Sequence, residues 1–169
     1  MKRIITSLLL LALPLITLAQ GGPLVDKGPA YFVDRYGPAK ESRTVSKASF
    51  LHPGSGTETV ERQFSVRSFR TDALRVEATF FLPSLKPAEV RLSLPHQWTQ
   101  EQIDAALGAY GNAWNVESRS FGMTVWRAPD GSRAVLILNS FHFQSFALID
   151  LIEASRASRV AKKKAVPKF

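Results

Sequence analysis

Residues 74–82 have the sequence Leu-Arg-Val-Glu-Ala-Thr-Phe-Phe-Leu, and this stretch decides the fold class. Every second residue from Leu74 to Leu82 is apolar, and most of the residues between them are polar. Successive side chains of a β-strand point to opposite faces of the sheet. The pattern therefore predicts a strand with one buried face and one solvated face.

Further strand patterns lie on both sides of this stretch. They cover residues 48–51, 61–68, 90–94, 121–126 and 134–139. The apolar segment 146–152 is compatible with a strand or a helix, because a short apolar run does not separate the two. We assign it as a strand.

Two helices are predicted among these strands. The first begins at Pro29, which suits a first helical turn, and ends at Gly37. The second follows Thr99, where Gln102 completes a capping-box pattern, and ends at Gly111.

The two predicted helices end alike, in Tyr36-Gly37 and Tyr110-Gly111, and Glu-Ser-Arg follows each a few residues later. This similarity predicts an α+β fold of two helix-plus-three-strand repeats, about residues 28–95 and 96–155. The helices would pack on one face of an antiparallel sheet. The alternative is a chance similarity between two helix ends.

The element order over residues 24–155 resembles the β-lactamase-inhibitor-protein fold and the small lipoproteins of the outer-membrane assembly machinery. The resemblance implies a non-catalytic protein that binds other macromolecules across an open sheet face. The chain contains no Cys, so it lacks the lipid-accepting Cys of those lipoproteins and the disulfides of the inhibitor.

The N-terminal residues are typical of a secretory signal peptide. Lys2 and Arg3 precede an apolar stretch up to Leu18, and the small residue Ala19 precedes Gln20. The alternative, an uncleaved membrane anchor, needs about 20 apolar residues, more than this stretch offers. We therefore predict a signal peptide at residues 1–19, cleavage before Gln20, and a periplasmic or extracellular protein without a transmembrane segment.

The net charge of +8 is concentrated at the C-terminus. Six basic residues lie in residues 156–169, including Lys162, Lys163, Lys164 and Lys168. Between residues 20 and 155, basic and acidic residues balance. This predicts a flexible leader at 20–27, a single α+β domain at 28–155 and a basic disordered tail at 156–169.

The sequence offers no set of catalytic or metal-binding residues at a recognised spacing. His52, His96 and His142 are far apart, and none has an acidic or histidine partner at ligand spacing on its own element. Ser55 lies in a glycine-rich turn without the spacing of a nucleophile elbow. We predict no enzymatic activity, no metal and no cofactor.

The second half of the chain carries the candidate binding residues. Arg75, Glu77 and Thr79 mark a solvated face in the first half, whereas Val135 and Ile137 occupy matching places in the second. Strands that are apolar on both faces are either covered on both sides or open to a partner. The candidate partner-binding residues are the following: Trp126, Val135, Ile137 and Phe81.

These observations together predict an exported binding or accessory module of the bacterial cell envelope, whose partner is another protein or an envelope component, with no nucleic acid. The first alternative is a protein that binds an anionic surface or wall polymer through Lys162, Lys163, Lys164 and Lys168. A hydrolase is the remaining alternative; it requires a cleft in which a histidine meets a carboxylate and a hydroxyl.

Overall fold

The computed structural model describes residues 23–111, 113–120 and 122–165. These residues form eight β-strands, three α-helices and a short 3-10 helix at Leu24–Asp26. The helices are α1 (Pro29–Tyr36), α2 (Gln100–Tyr110) and α3 (Phe146–Ala165). The strands are β1 (Glu41–His52), β2 (Gly56–Arg70), β3 (Arg75–Phe81), β4 (Pro87–Ser93), β5 (Asn115–Ser120), β6 (Met123–Arg127), β7 (Arg133–Ile137) and β8 (Ser140–Gln144). The predicted signal peptide lies outside the described residues.

The eight strands form one antiparallel sheet in the order β1-β2-β3-β4-β8-β7-β6-β5. Strands β1 to β4 run as one meander and β5 to β8 as another. The two meanders meet where β4 pairs with β8, with Val90 opposite Phe143. The outer edges of the sheet are β1 and β5.

The predicted fold of two helix-plus-three-strand repeats, with the helices on one face, is wrong. Four strands follow α1, four follow α2, and α3 ends the described chain. The helices also lie on both faces: Phe80 contacts Phe32 of α1, whereas its neighbour Phe81 lies in a cluster with Leu148 of α3. Adjacent strand residues point to opposite faces, so α1 and α3 sandwich the sheet.

The edge strands explain part of this error. All residues of β5 are exposed, and β1 is mostly exposed over residues 41–49. An edge strand with two solvated faces carries no apolar alternation, so periodicity cannot detect it. Long polar edges are also a common protection against edge-to-edge association.

The core beneath α1 and α2 is rich in aromatic residues. Phe143 of β8 lies 4.7 Å from the ring of Tyr110 and 4.5 Å from that of Phe141. Helix α2 begins as predicted, with the Thr99 side chain accepting from the Gln102 backbone in a complete capping box. The buried members of this core are Leu24, Phe32, Phe69, Val76, Ala78, Phe80, Val90, Leu92, Ala106, Ala109, Tyr110, Trp126, Ala134, Phe141 and Phe143.

Helix α3 covers the opposite face and corrects two predictions. Residues 146–152 are its first turns and not a strand: Leu148, Ile149 and Ile152 are buried whereas Asp150 is exposed, a pattern with helical and not two-residue spacing. Each such buried side chain contributes about 1.5–3 kcal/mol by leaving water. The helix continues to Ala165, so residues 156–165 are helical and not part of a disordered tail.

The hairpin of β1 and β2 reaches beyond the rest of the sheet. Only Phe64 to Arg70 of β2 pair with β3, so the hairpin tip around residues 52–56 has no third strand beside it. The hairpin bends over the α3 face, because the Leu51 carbonyl accepts a hydrogen bond from the Gln144 side chain of β8 at 2.8 Å. The tip therefore lies next to α3.

Candidate functional site

The four predicted partner-binding residues do not form one exposed surface. Trp126 pairs with Ala134 and lies in the core under the helices, with its ring 5.4 Å from that of Phe141. Val135 pairs with Val125 on the other face and is fully buried. Phe81 is buried beneath α3, and only Ile137 is half-buried. The strands β6 and β7 are neighbours as predicted, but their register puts Trp126 and Val135 on opposite faces.

The α3 face of the sheet instead carries a buried polar cluster, which we call the sheet cluster: Glu89 on β4, His142 and Gln144 on β8, and Arg133 on β7. The strand register brings these side chains to one face, since Glu89 and Arg133 are both cross-strand partners of Gln144. Each is at most 7% exposed.

Gln144 is the centre of the sheet cluster. Its Oε1 accepts from Nε and Nη2 of Arg133 at 3.1 and 2.9 Å. Its Nε2 donates to Glu89 Oε1 at 3.0 Å and to the Leu51 carbonyl at 2.8 Å. One amide therefore connects the hairpin, β4 and β7 with its acceptor and both of its donor hydrogens in use.

Glu89 is the only carboxylate of the sheet cluster. Burial by itself would raise the pKa of Glu89. The hydrogen bond from His142 Nδ1 at 3.2 Å, the positive charges of His142 and Arg91, and the hydrogen bond from Gln144 outweigh burial and hold the pKa below its usual value. The carboxylate therefore stays ionised at neutral pH, and His142 donates to it.

A second polar group, the hairpin cluster, joins the hairpin tip to α3. It consists of His52, Ser55 and Glu58 from the hairpin and Glu153 and Arg159 from α3. His52 Nε2 lies 2.8 Å from Glu153 Oε1, and His52 Nδ1 lies 2.8 Å from Ser55 Oγ. Ser55 Oγ also donates to Glu58 Oε1 at 3.0 Å, and Arg159 forms an ion pair with Glu58.

Sequence patterns do not predict this cluster, because His52 and Glu153 are 101 positions apart. It meets one condition of the hydrolase alternative: a histidine contacts a carboxylate and a hydroxyl. The Ser55 hydroxyl has a single hydrogen and faces two acceptors, Glu58 Oε1 and His52 Nδ1, so it donates to one of them at a time.

Both ring nitrogens of His52 are thus engaged, Nε2 with Glu153 of α3 and Nδ1 with Ser55 of the hairpin. The hydrogen bond from His52 lowers the pKa of Glu153, and the charges of His52 and Arg156 add to it against the opposing effect of burial. The arrangement is suited to holding α3 against the hairpin.

We expect His52→Ala to lower the free energy of unfolding by about 1–3 kcal/mol, because it removes a buried ring that makes two hydrogen bonds, each contributing about 0.5–1.5 kcal/mol. Chemical denaturation at neutral pH measures this change. The matched control is His96→Ala: the exposed His96 ring has its one hydrogen bond within the described residues to the adjacent Gln97 carbonyl, so the cost should stay below about 0.5 kcal/mol. Equal effects of the two substitutions would contradict the role of the hairpin cluster.

The same cluster predicts a pH dependence. The pKa of Glu153 is lower in the folded protein than the usual carboxyl value. The stability that the ionised Glu153 carboxylate contributes is therefore complete above the usual pKa and is lost as the pH falls through the lowered pKa. The decrease in the free energy of unfolding between neutral and acidic pH should therefore be smaller in His52→Ala than in the wild type.

The structure describes only part of the basic segment predicted to bind an anionic surface. Lys168 lies outside the described residues, as do the side chains of Lys162, Lys163 and Lys164.

Among the described residues, no three His, Cys, Asp or Glu side chains are placed to hold a metal ion. No helix in the described part of the chain is long and apolar enough to cross a membrane.

Comparison with known proteins gives no family: no protein-family model, no curated protein and no solved structure matches the chain.

Proposed function

We propose that this protein is an exported, non-catalytic binding module of the bacterial cell envelope. It contacts another protein through the end of its sheet where β7 turns into β8. The observation that carries the proposal is Leu138: this side chain is 76% exposed, and its backbone has φ 53.

The conformation of Leu138 is unusual for its residue type. A positive φ is common for glycine and costs other residues stability, so residues that keep one are concentrated at functional positions. Leu138 gains no burial in return. An apolar side chain that is both strained and exposed is therefore better explained by a contact with a partner than by packing within the chain.

The turn that carries Leu138 is firmly held. The side chain of Asn139 donates to the Leu94 carbonyl at 2.7 Å, and the Asn139 carbonyl accepts from the Leu94 backbone at 3.1 Å and from Trp98 Nε1 at 3.0 Å. These three bonds fix the turn to the loop before α2. A fixed apolar side chain loses little conformational freedom on binding, which favours affinity.

Two residues of the sheet next to the turn extend this contact. We call the combined set of Met123, Ile137 and Leu138 the turn surface. Met123 and Ile137 are cross-strand partners, and both are half-buried. Ile137 is the one residue of the predicted set that stays in the proposed surface. Small side chains follow along the sheet, where Ser140 and Ser93 pair. The turn surface is thus apolar, as the buried centre of a protein interface usually is.

The absence of Cys from the chain allows a clean test. A Leu138→Cys variant, labelled with a photoactivated cross-linker, should form one discrete protein adduct in the envelope fraction. Val33→Cys, at an exposed apolar residue on α1, is the matched control and should form none. The adduct should persist at high salt, because apolar contacts are not screened, whereas binding through the basic tail is.

Leu138→Gly separates binding from stability. Glycine relieves the positive φ, so the free energy of unfolding should stay the same or rise by up to about 1 kcal/mol. An excess of unlabelled Leu138→Gly protein should nevertheless leave the yield of the adduct unchanged, whereas an excess of unlabelled wild-type protein should abolish the adduct. Competition by both proteins, or adducts of equal yield at positions 33 and 138, would rule out the turn surface.

A further inference from the structure

Two cationic side chains, Lys27 and Arg35, lie near the start of the described chain. Lys27 follows the 3-10 helix, and Arg35 is the penultimate residue of α1. Lys27 is only 5% exposed. Among the described residues, neither side chain forms an ion pair, although Asp26 and Asp34 lie beside them in sequence.

Two other arginines of the described chain are compensated differently. The buried Arg133 has Gln144 as a double acceptor, and the half-buried Arg91 contacts both Glu89 and Glu77. Lys27 and Arg35 have aromatic neighbours in place of such acceptors. Lys27 Nζ lies 4.3 Å from the centre of the Tyr31 ring, and the Arg35 guanidinium lies 5.8 Å from the same ring. Ring faces attract cations more weakly than a carboxylate does, so the positive charge is only partly balanced.

Hydrogen-bond donors of this region are also unused. Arg35 Nε is buried and has no hydrogen-bond partner among the residues that the structure describes. The hydroxyls of Tyr36 and Tyr110 lie 2.9 Å apart, so one donates to the other and the second keeps a hydrogen for a further acceptor. Burial and the nearby charge of Arg35 lower the pKa of Lys27 against the opposing effect of the Asp26 charge.

We propose that Lys27, Arg35, Tyr31, Tyr36 and Tyr110 form a binding site for a phosphate group. A phosphate monoester carries close to two negative charges at neutral pH and several strong acceptor oxygens, which matches two cations and unused N–H and O–H donors. The site is open on one side, since Tyr31, Arg35 and Tyr36 are half-buried. It is built on α1 and α2 and does not depend on the turn surface.

The phosphate could belong to a small soluble ester or to the head group of a lipid, and two probes distinguish them. The first is inorganic phosphate, titrated into the purified protein against sodium chloride of equal ionic strength. The second is a vesicle of phosphatidylcholine with and without added phosphatidic acid. Chemical shifts of backbone amides around Tyr31 and Tyr36 report binding to the first probe, and co-sedimentation reports binding to the second.

We expect phosphate, but not chloride, to shift these amides in a saturable manner, with affinity reduced at least tenfold in Arg35→Gln and in Lys27→Gln. Arg62→Gln is the matched control, because Arg62 also lies over an aromatic ring, 5.0 Å from the centre of Phe81, but on the α3 side of the sheet. Its affinity for phosphate should match that of the wild type. Stronger sedimentation with phosphatidic acid, lost in the same two variants, would assign the site to a lipid head group.

Two results would overturn the proposal. One is a response to phosphate no larger than the response to chloride. The other is an unchanged phosphate affinity in Arg35→Gln, which is half-buried and is expected to fold even where Lys27→Gln does not. Tyr36→Phe, which removes one hydroxyl and keeps the ring, should weaken phosphate binding without loss of the aromatic contact with Arg35.

Discussion

Glu89→Ala is expected to lower the free energy of unfolding by about 3–5 kcal/mol, the usual cost of removing one partner from a buried ion pair. Glu89 is 2% exposed. Its carboxylate accepts hydrogen bonds from His142 and Gln144, and Arg91 Nη2 lies 3.4 Å from its Oε2. Its loss leaves buried donors without an acceptor. Denaturant unfolding at neutral pH measures the change.

Glu77 provides the matched control for Glu89. It lies on the same face, its side chain is 21% exposed, and its contacts with Arg91 and Arg43 are long, at 3.6 and 3.9 Å. Ion pairs of this kind contribute about 0–1 kcal/mol, so Glu77→Ala should cost less than about 1 kcal/mol. Similar costs for the two substitutions would show that the sheet cluster has no special importance.

The free energy of unfolding should also decrease at acidic pH, and part of this decrease should depend on Glu89. Its pKa is lower in the folded than in the unfolded chain, so its stabilising contribution is complete above the usual carboxyl value of 4.5. The contribution is lost as the pH falls through the lowered value. Glu89→Gln, which cannot ionise, should therefore lose less stability between neutral pH and this acidic range than the wild type does.

Local patterns predict only part of this fold. The capping box of Thr99 and Gln102 gave the start of α2 correctly, because it depends on residues three positions apart. The strand β3 was likewise evident from its alternation. Strand β5, with both faces exposed, and α3, whose first turns form one apolar run, lack a distinctive period.

The polar clusters were missed for a different reason. On β8, His142 and Gln144 alternate with Phe141 and Phe143, so the sequence does show that one face of this strand is polar. What the sequence does not show is that Glu89 lies opposite Gln144. That pairing joins positions 55 residues apart and depends on the register of the whole sheet.

The turn surface illustrates the same limit on a smaller scale. Alternation along β7 correctly separates Ile137 from its neighbour Leu136, but the position of Trp126 depends on the turn between β6 and β7. The backbone angle of Leu138 is not visible in any apolar pattern, because leucine is not a residue that turn chemistry selects. The feature that best marks the proposed interface is thus one that only the structure reveals.

Phe143→Ala is expected to have an effect as large as that of Glu89→Ala, about 3–5 kcal/mol, the usual cost of truncating a buried phenylalanine. Phe143 is fully buried on β8, the strand that joins the two meanders, and its ring lies 4.7 Å from Tyr110 and 6.0 Å from Trp114. The substitution leaves a cavity between the sheet and α2. It should also weaken the tyrosine pair of the proposed phosphate site, because Tyr110 loses its support.

Phe146→Ala is the matched control, three residues along the chain. Phe146 is 58% exposed at the start of α3, so its truncation removes little buried area and should cost less than about 1 kcal/mol. Thermal and denaturant unfolding of both variants measure the difference. A small cost for Phe143→Ala would mean that α2 does not pack on the sheet, and the arrangement of Tyr36 and Tyr110 at the phosphate site would then lose its basis.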